Sequence, residues 1–376
     1  MKSRGDLFLE NNIQYKIEGC TMSNLFRIVT LISCIIFTGC RKAKEGAIFP
    51  YLVIDKESNL LAFVSGTDFN SLRDNYTGCK KSVNILDLTS RKCYSLHLDK
   101  VGHPLLWTWR FDPEKTELYL PVFDYKELFS VTLARLEFSR NKGIKLQKYV
   151  RQKFYFGPML FSWGPDGKRL IVSSFPPACY FYISFDGGLS FEEIQTKESG
   201  IGPICIWLDN KRFFVYSRKA VYEMEIMEEE LNIRKFFETA QNTEVMNLCG
   251  LFNNQIVYVT KINDNNNILY NIRRGKDVFY QSEHRIERAF SDGNNLALMQ
   301  IIGSEKDQKV NSRELLVFDQ NGMQIQRRAF DKDVVLCGIV YKDDAIYLLR
   351  DNKTILKYNY SKREPSNVET IYSIEK

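Results

Sequence analysis

The sequence predicts an all-β fold, a single β-propeller built from four-stranded blades. Three observations predict it. A strand–turn–strand unit recurs about every 40–55 residues, a second hairpin follows most copies of the unit, and no stretch carries a convincing long amphipathic helix pattern. Because a repeat of this length cannot bury its own hydrophobic face, neighbouring repeats must stack against one another.

The repeated unit is clearest at Phe161–Ser174, where an apolar strand, a turn of Pro, Asp and Gly, and a second apolar strand follow one another. The first turn of each unit is placed at Asp55, Asp112, Asp166, Asp209, Asn253, Asp292 and Asp343. Second hairpins are predicted at residues 83–96, 221–237, 268–281, 314–330 and 355–373. Two hairpins make the four strands of a propeller blade. The count is therefore seven blades, or six or eight if one unit is divided differently.

The turn of the clearest unit has a direct physical explanation. Pro165 presets φ, Asp166 can accept hydrogen bonds from the following amides, and Gly167 tolerates a positive φ. Trp163 is predicted to fill the space between blades. This Trp-x-Pro-Asp-Gly-Lys turn resembles the repeat of TolB-like propellers, which implies a propeller fold. No unit ends in the Trp-Asp dipeptide of WD repeats.

A second resemblance lies in the same unit. Residues 184–191 read SFDGGLSF, which looks like the Asp-box of sialidase-type propeller repeats. The resemblance implies that Ser184 and Asp186 bond loop amides, that Gly188 is left-handed, and that Phe191 packs beneath the loop. An Asp-box is a folding device on the outer rim of a blade, so it implies a propeller and not a sialidase.

The N-terminal segment is predicted to be a secretion signal. Arg27 precedes ten uncharged residues, Ile28–Phe37, which are too few to span a bilayer but suit a signal peptide. The ending Phe-Thr-Gly-Cys resembles a bacterial lipobox, which implies lipid attachment at Cys40. A second pattern of the same kind ends at Cys34. A cleaved signal peptide without a lipid, or an uncleaved anchor, remains an alternative. The expected organisation is a signal peptide at 1–39, starting at Met22 or Met1, a linker at 40–47 and the propeller at 48–376.

The charge distribution and the positions of the cysteines limit the ligands that we expect. A net charge of +6 with both signs interspersed gives no basic stripe, so no nucleic-acid partner is predicted. The cluster at residues 273–276 is interpreted as a solvated hairpin turn.

Cys79 and Cys93 flank a predicted hairpin and could form a disulfide. Three further cysteines, each placed in the first strand of a unit, are interpreted as core residues: Cys205, Cys249 and Cys337. Neither a metal site nor a cofactor is predicted.

No catalytic residue is predicted. The first strands of the units, which should line the central channel, are largely apolar, and only Arg110, Glu287 and Arg288 offer charge near them. No nucleophile elbow is present. Loop acids such as Asp124, Glu127 and Asp264 could converge in space, which keeps a paired-carboxylate glycosidase open as an alternative.

The expected function is a lipid-anchored, extracytoplasmic binding or scaffold propeller. Its expected partner is a protein or a glycan of the bacterial cell envelope, facing the periplasm or the cell exterior, and the anchor would associate with the membrane. Two alternatives remain open at this stage. One is an extracytoplasmic glycan-active enzyme with its site at the channel mouth, and the other is an intracellular or eukaryotic interaction propeller with an uncleaved anchor.

Overall fold

The computed structural model describes most of the chain beyond the N-terminal segment. The described residues are 47–48, 52–55, 59–66, 81–98, 108–112, 115–124, 130–151, 159–174, 180–188, 190–195, 201, 204–227, 231–264, 267–304, 309–340, 344–361 and 368–374. They form strands and turns, grouped into seven antiparallel sheets that we number in chain order. No helix in these ranges has the length and hydropathy that crossing a membrane requires.

The first three sheets contain thirteen strands. Sheet 1 consists of β1 (Ala47–Ile48), β2 (Val53–Asp55), β3 (Leu60–Gly66), β4 (Lys81–Asp87) and β5 (Cys93–Leu98). Sheet 2 consists of β6 (Thr108–Asp112), β7 (Lys115–Asp124), β8 (Ser130–Ser139) and β9 (Gly143–Arg151). Sheet 3 consists of β10 (Met159–Trp163), β11 (Leu170–Ser174), β12 (Tyr180–Ser184) and β13 (Glu192–Gln195).

Each of the last four sheets contains four strands. Sheet 4 consists of β14 (Ile206–Trp207), β15 (Arg212–Tyr216), β16 (Ala220–Ile226) and β17 (Leu231–Glu238). Sheet 5 consists of β18 (Thr243–Phe252), β19 (Gln255–Asp264), β20 (Asn267–Arg274) and β21 (Asp277–Ser282). Sheet 6 consists of β22 (Arg285–Ser291), β23 (Leu296–Ser304), β24 (Lys309–Phe318) and β25 (Gln324–Asp331). Sheet 7 consists of β26 (Val334–Val340), β27 (Ala345–Arg350), β28 (Thr354–Asn359) and β29 (Val368–Ser373).

In sheets 2 to 7 the strands pair in chain order, and the sheets are the blades of a β-propeller, so the predicted all-β propeller is confirmed. Six sheets have the regular four-stranded order. Sheet 1 departs from it because the short strands β1 and β2 both pair with β3. The sequence predicted seven blades and allowed six; the fold has six regular blades and this irregular N-terminal sheet.

Sheets 1 and 7, the first and last along the chain, pack against each other. Phe63 and Leu61 of sheet 1 share a core with Tyr347 of sheet 7, and the rings of Phe63 and Tyr372 lie 4.9 Å apart. At the surface, Arg91 Nη2 and Glu369 Oε1 are 2.7 Å apart. Among the described strands, no N-terminal strand pairs into sheet 7 and no C-terminal strand pairs into sheet 1. Side-chain packing therefore joins these two sheets.

The predicted first turns at Asp166, Asp209, Asn253 and Asp292 lie between the first and second strands of their sheets, as expected, whereas Asp55 and Asp112 end β2 and β6 and Asp343 lies outside the described residues. Because neighbouring strands are antiparallel, the first-to-second and third-to-fourth turns of every sheet lie on one face of the ring, which we call the turn face. The second-to-third turns and the links between sheets lie on the opposite face, the connection face. An aspartate at the start of five turn-face turns accepts hydrogen bonds from amides two to four residues further on: Asp87, Asp166, Asp209, Asp292 and Asp319.

Candidate functional site

The innermost strands are the first place to look for a site, because ligands of propellers meet the central channel. The first strands of neighbouring sheets contact each other from β2 to β6, β6 to β10, β14 to β18, β18 to β22, and β22 to β26. Three of them carry β-bulges, which leave Met246 and Cys249 of β18, Glu287 of β22 and Cys337 of β26 without a directly paired residue. Bulges of this kind re-aim side chains.

The bulge in β22 aims a carboxylate at a partner within its own sheet. Arg313 of β24 donates to Glu287 through Nε at 2.6 Å and through Nη2 at 2.8 Å. Arg288 donates from Nη1 to the carbonyl oxygen of Leu336 in sheet 7 at 3.4 Å. The charges of Glu287 and Arg313 therefore compensate each other. Sequence reasoning missed Arg313 because it lies two strands away from β22.

Of the loop acids that kept a glycosidase open, the two that the structure describes belong to different sheets. Asp264 is exposed at the end of β19 in sheet 5, whereas Asp124 ends β7 in sheet 2. Glu127 lies outside the described residues, as does the side chain of Arg110, whose backbone belongs to β6. In the described part of the chain, no group of three or more His, Cys, Asp or Glu residues is placed to hold a metal ion.

The three cysteines predicted to be core residues are buried, as expected. Burial raises the pKa of Cys249 to about 12 and that of Cys337 to about 11. Both are therefore protonated near neutral pH and are poor nucleophiles. Cys93 is half-buried, and burial also raises the pKa of its thiol. Cys79 and Cys40 lie outside the described residues, so the disulfide and the lipid attachment stay predictions.

The two loops that carried the resemblances are tightly hydrogen-bonded turns of sheet 3. Asp166 Oδ1 accepts from the amides of Lys168 and Arg169 at 2.9 and 3.1 Å, and Gly167 has a φ of 63°. Ser184 Oγ accepts from the Gly188 amide and donates to Asp186 Oδ1, each at 2.8 Å.

The rest of the second loop follows the same pattern. Asp186 also accepts from the Ser190 amide at 3.0 Å, and Gly188 has a φ of 82°. Trp163 and Phe191 are half-buried. The Gly187 amide donates to the carbonyl oxygen of Lys168 at 3.0 Å, which joins the two loops. These contacts hold each turn in shape and fasten one turn to the other.

Exposed apolar side chains are concentrated on the turn face. Of the six large apolar residues that are exposed among the described residues, five lie in or beside third-to-fourth hairpin turns of sheets 3 to 6: Phe185, Met227, Val278, Met323 and Ile325. Met323 is the most exposed, at 67%. The sixth, Met246, lies on β18. We call these five residues the apolar rim.

Sheets 5 and 6 hold their part of the apolar rim rigidly. Phe279 lies so close to Gly322 that a Cβ there would come within 2.7 Å of the ring, and Gly322 has a φ of 83°. The ring of Phe279 also packs edge-on against Phe318 at 5.2 Å. Any residue other than glycine at position 322 would displace this ring. The turn before Met323 is therefore fixed relative to β21.

The basic cluster at residues 273–276 forms the predicted hairpin turn, but its arginines are half-buried and not fully solvated. The guanidinium of Arg273 lies 4.9 Å from the ring centre of Phe237 in sheet 4, and that of Arg274 lies 5.3 Å from Phe279. The first of these cation–π contacts helps to join sheets 4 and 5, and the second lies within sheet 5.

The energy of the contact between Arg273 and Phe237, which joins sheets 4 and 5, can be measured. We expect a double-mutant cycle of Arg273→Met and Phe237→Leu to give a coupling energy of about 0.5–1 kcal/mol in the free energy of unfolding, typical of a partly exposed cation–π pair. Denaturant titration of the four proteins measures it. Pairing Phe237→Leu with Lys332→Met, a distant exposed lysine, is the control and should give no coupling. Equal coupling in both cycles would contradict the contact.

On the connection face, two carboxyl groups lie close together between sheets 6 and 7. The Asp351 amide donates to the carbonyl oxygen of Asp333 at 3.2 Å. Burial and a hydrogen bond with the Asp351 side chain together raise the pKa of Asp333. Asp351 has a φ of 54°, a left-handed conformation that Asp and Asn tolerate better than most residues.

This pair predicts a pH-dependent stability. A raised pKa in the folded state means that the protonated pair stabilises the fold at low pH and that this contribution is lost as pH rises through the raised pKa. We therefore expect Asp351→Asn to be more stable than the wild type at pH 7 and equal to it near pH 3. Thermal unfolding across this range measures the difference. Asp351→Ala is the matched control, because alanine strains at positive φ and should destabilise at every pH.

The outermost strands of five sheets each contain a β-bulge. The residues without a directly paired neighbour are Gln147, Phe236, Phe279, Ile325 and Ile371. A bulge twists the edge of a sheet and discourages the addition of a further strand. These five outer edges are therefore poor templates for an added strand.

These features define the class of protein: a β-propeller in which Glu287 on an inner strand is paired with Arg313 and in which five large apolar side chains are exposed on the turn face. No family model and no curated protein matches the chain. Solved propeller structures match the chain. The β-propeller domain of the Trilobed protease from Pyrococcus furiosus matches with a TM-score of 0.55 and 12% identity, covering 88% of this chain and 100% of that domain.

Two further matches are much longer proteins. Prolyl oligopeptidase B from Galerina marginata matches with a TM-score of 0.57 and 12% identity, covering 87% of this chain. Raptor from Chaetomium thermophilum matches with a TM-score of 0.54 and 10% identity, covering 89% of this chain. This chain spans 51% of the first and 29% of the second. At such identities the likeness shows the propeller fold alone, and the fold does not imply a shared function.

Proposed function

We propose that this protein is a non-catalytic binding propeller of the bacterial cell envelope, held at the membrane by a lipid on Cys40. The observation that carries the binding role is the apolar rim. It exposes five large apolar side chains on one face, whereas Glu287 on the inner strands is paired with Arg313. Exposed apolar side chains on a rigid surface are typical of protein–protein contacts.

The two turns of sheet 3 support the architectural part of this proposal. We assign the loop from Ser184 to Phe191 as an Asp-box and the turn at Asp166 as a TolB-like propeller turn. The hydrogen bonds of Ser184 and Asp186 within the loop support the first assignment, and the amides bound by Asp166 support the second. Both motifs stabilise blades, so they favour a scaffold and leave ligand recognition to other surfaces.

The partner-binding role is tested by site-specific photo-crosslinking in cells. A photoreactive residue at position 323 or 227, both on the apolar rim, should give a discrete adduct with one partner. The matched control is position 246, also an exposed methionine but on an inner strand, which should give none. The same adduct from all three positions, or none from the rim, would overturn the assignment of the rim.

The anchor is tested separately by metabolic labelling with palmitate. The wild type should incorporate the label and fractionate with membranes, and Cys40→Ala should do neither. Cys34→Ala, which removes the rival lipobox cysteine, is the matched control and should remain labelled. An unlabelled wild type would remove the lipoprotein proposal and leave the binding role standing.

A further inference from the structure

Sheets 1 and 2 present a second, chemically different surface on the turn face. It consists of the turn between β4 and β5 and the turn between β8 and β9, which several contacts hold together. Arg140 donates from Nε to Asp87 Oδ2 at 2.8 Å, and the Tyr94 hydroxyl donates to the carbonyl oxygen of Arg140 at 2.9 Å. The ring of Tyr94 packs edge-on against Phe138 at 5.1 Å. We call this surface the paired-turn surface.

The paired-turn surface is rich in exposed cations. Five basic side chains are exposed on it: Arg91, Lys92, Arg140, Lys142 and Lys145. Three carboxylates lie among them, and each already accepts from a side chain of the same region. Asp87 accepts from Arg140, Glu369 from Arg91, and Glu137 from Gln147. Five cations stand against three carboxylates, so an excess of positive charge remains toward solvent.

The position of Asp87 makes this arrangement rigid. Its side chain is only 3% exposed, and besides Arg140 it accepts from the amides of Thr89 and Ser90 at 3.0 and 3.4 Å. One buried carboxylate thus shapes the first turn and fastens the second turn to it. Arg140, fixed in this way, loses less conformational freedom when an anion binds, which favours recognition.

From this geometry we propose that the paired-turn surface binds an acidic polysaccharide, a glycan with repeated carboxylate or sulfate groups. The inference rests on the proposed binding role and names a ligand class for it. Because the cations lie on turns of two different sheets, a ligand that contacts both must carry several anionic groups along its length.

Two other anionic partners fit the surface less well. Single-stranded nucleic acids stack bases on exposed aromatic rings, but the Tyr94 ring is covered by Lys92 at 4.8 Å and by Phe138. Peripheral membrane binding combines cations with apolar side chains that enter the bilayer interface. None of the exposed large apolar residues found in the described part of the chain belongs to sheets 1 or 2.

Binding of two defined polyanionic glycans tests the proposal. Polygalacturonate supplies carboxylates and dextran sulfate supplies sulfates, so the two distinguish the anionic group, and uncharged dextran is the blank. We expect the wild-type protein to bind one or both with an affinity that falls as salt rises. We expect Lys142→Ala/Lys145→Ala to weaken this binding about tenfold or more. Both lysines are exposed, so the fold should be retained, as thermal unfolding will show.

The matched control is Lys211→Ala/Lys332→Ala, which removes two exposed lysines outside the surface and the same net charge. It should bind like the wild type. Equal weakening in both variants would overturn the proposal, as would no binding of the wild type to either glycan. Tighter binding to single-stranded RNA, or to vesicles of phosphatidylcholine and phosphatidylglycerol, would also overturn it. Crosslinking from position 323 reports on the apolar rim of another sheet, so failure here leaves that test unaffected.

Discussion

Replacing Phe63 by alanine is expected to lower the free energy of unfolding by about 3–5 kcal/mol, the usual cost of truncating a buried aromatic residue. Phe63 is fully buried and lies between sheets 1 and 7, with its ring 4.9 Å from that of Tyr372. Because no described strand passes between these two sheets, side-chain packing is what closes the ring here. Denaturant titration measures the loss.

The strands in which hydrogen exchange accelerates distinguish Phe63→Ala from an ordinary core substitution. Phe213→Ala is the matched control, because Phe213 is equally buried but lies between sheets 3 and 4. Both variants should lose similar stability. Only Phe63→Ala should also accelerate hydrogen exchange locally in β3 and β29, which face each other across the junction. Uniform acceleration throughout the ring in both variants would contradict this description of the junction.

Replacing Asp87 by alanine is expected to cost about 2–3 kcal/mol at neutral pH, because a buried acceptor for two amides and a guanidinium is lost. Burial alone would raise the pKa of Asp87, but hydrogen bonds from Arg140 and from the amides of Thr89 and Ser90 outweigh it and lower the pKa. A lowered pKa contributes stability that is present above about pH 4 and is lost as pH falls.

Asp87→Asn separates the two roles of this side chain. Asparagine keeps an oxygen for the turn amides but removes the ionic contact with Arg140, so its loss at pH 7 should be smaller than that of alanine. The difference between the wild type and Asp87→Asn should shrink as pH falls below 4. Chemical unfolding at pH 7 and pH 3 measures both effects. A difference that stays constant with pH would show that the charge of Asp87 contributes nothing.

The sequence predicted best the features that depend on neighbouring residues. Asp166 and Asp209 start turns because their carboxylates reach amides two and three residues away, and this is visible in the sequence. The burial of Cys249 followed from its apolar neighbours. The pairing of Glu287 with Arg313 did not follow, because it depends on the register of three adjacent strands and on a bulge that re-aims Glu287.

The sequence by itself determined the repeat, the turns and hence the propeller, because hairpin formation is governed by local alternation and turn residues. Only the tertiary structure decided how sheets 1 and 7 meet, that Arg273 stacks on Phe237 of the neighbouring sheet, and that exposed apolar residues gather on the turn face. These features join residues far apart in the chain. Their positions depend on closure of the ring and on bulges that change strand register, neither of which a local pattern specifies.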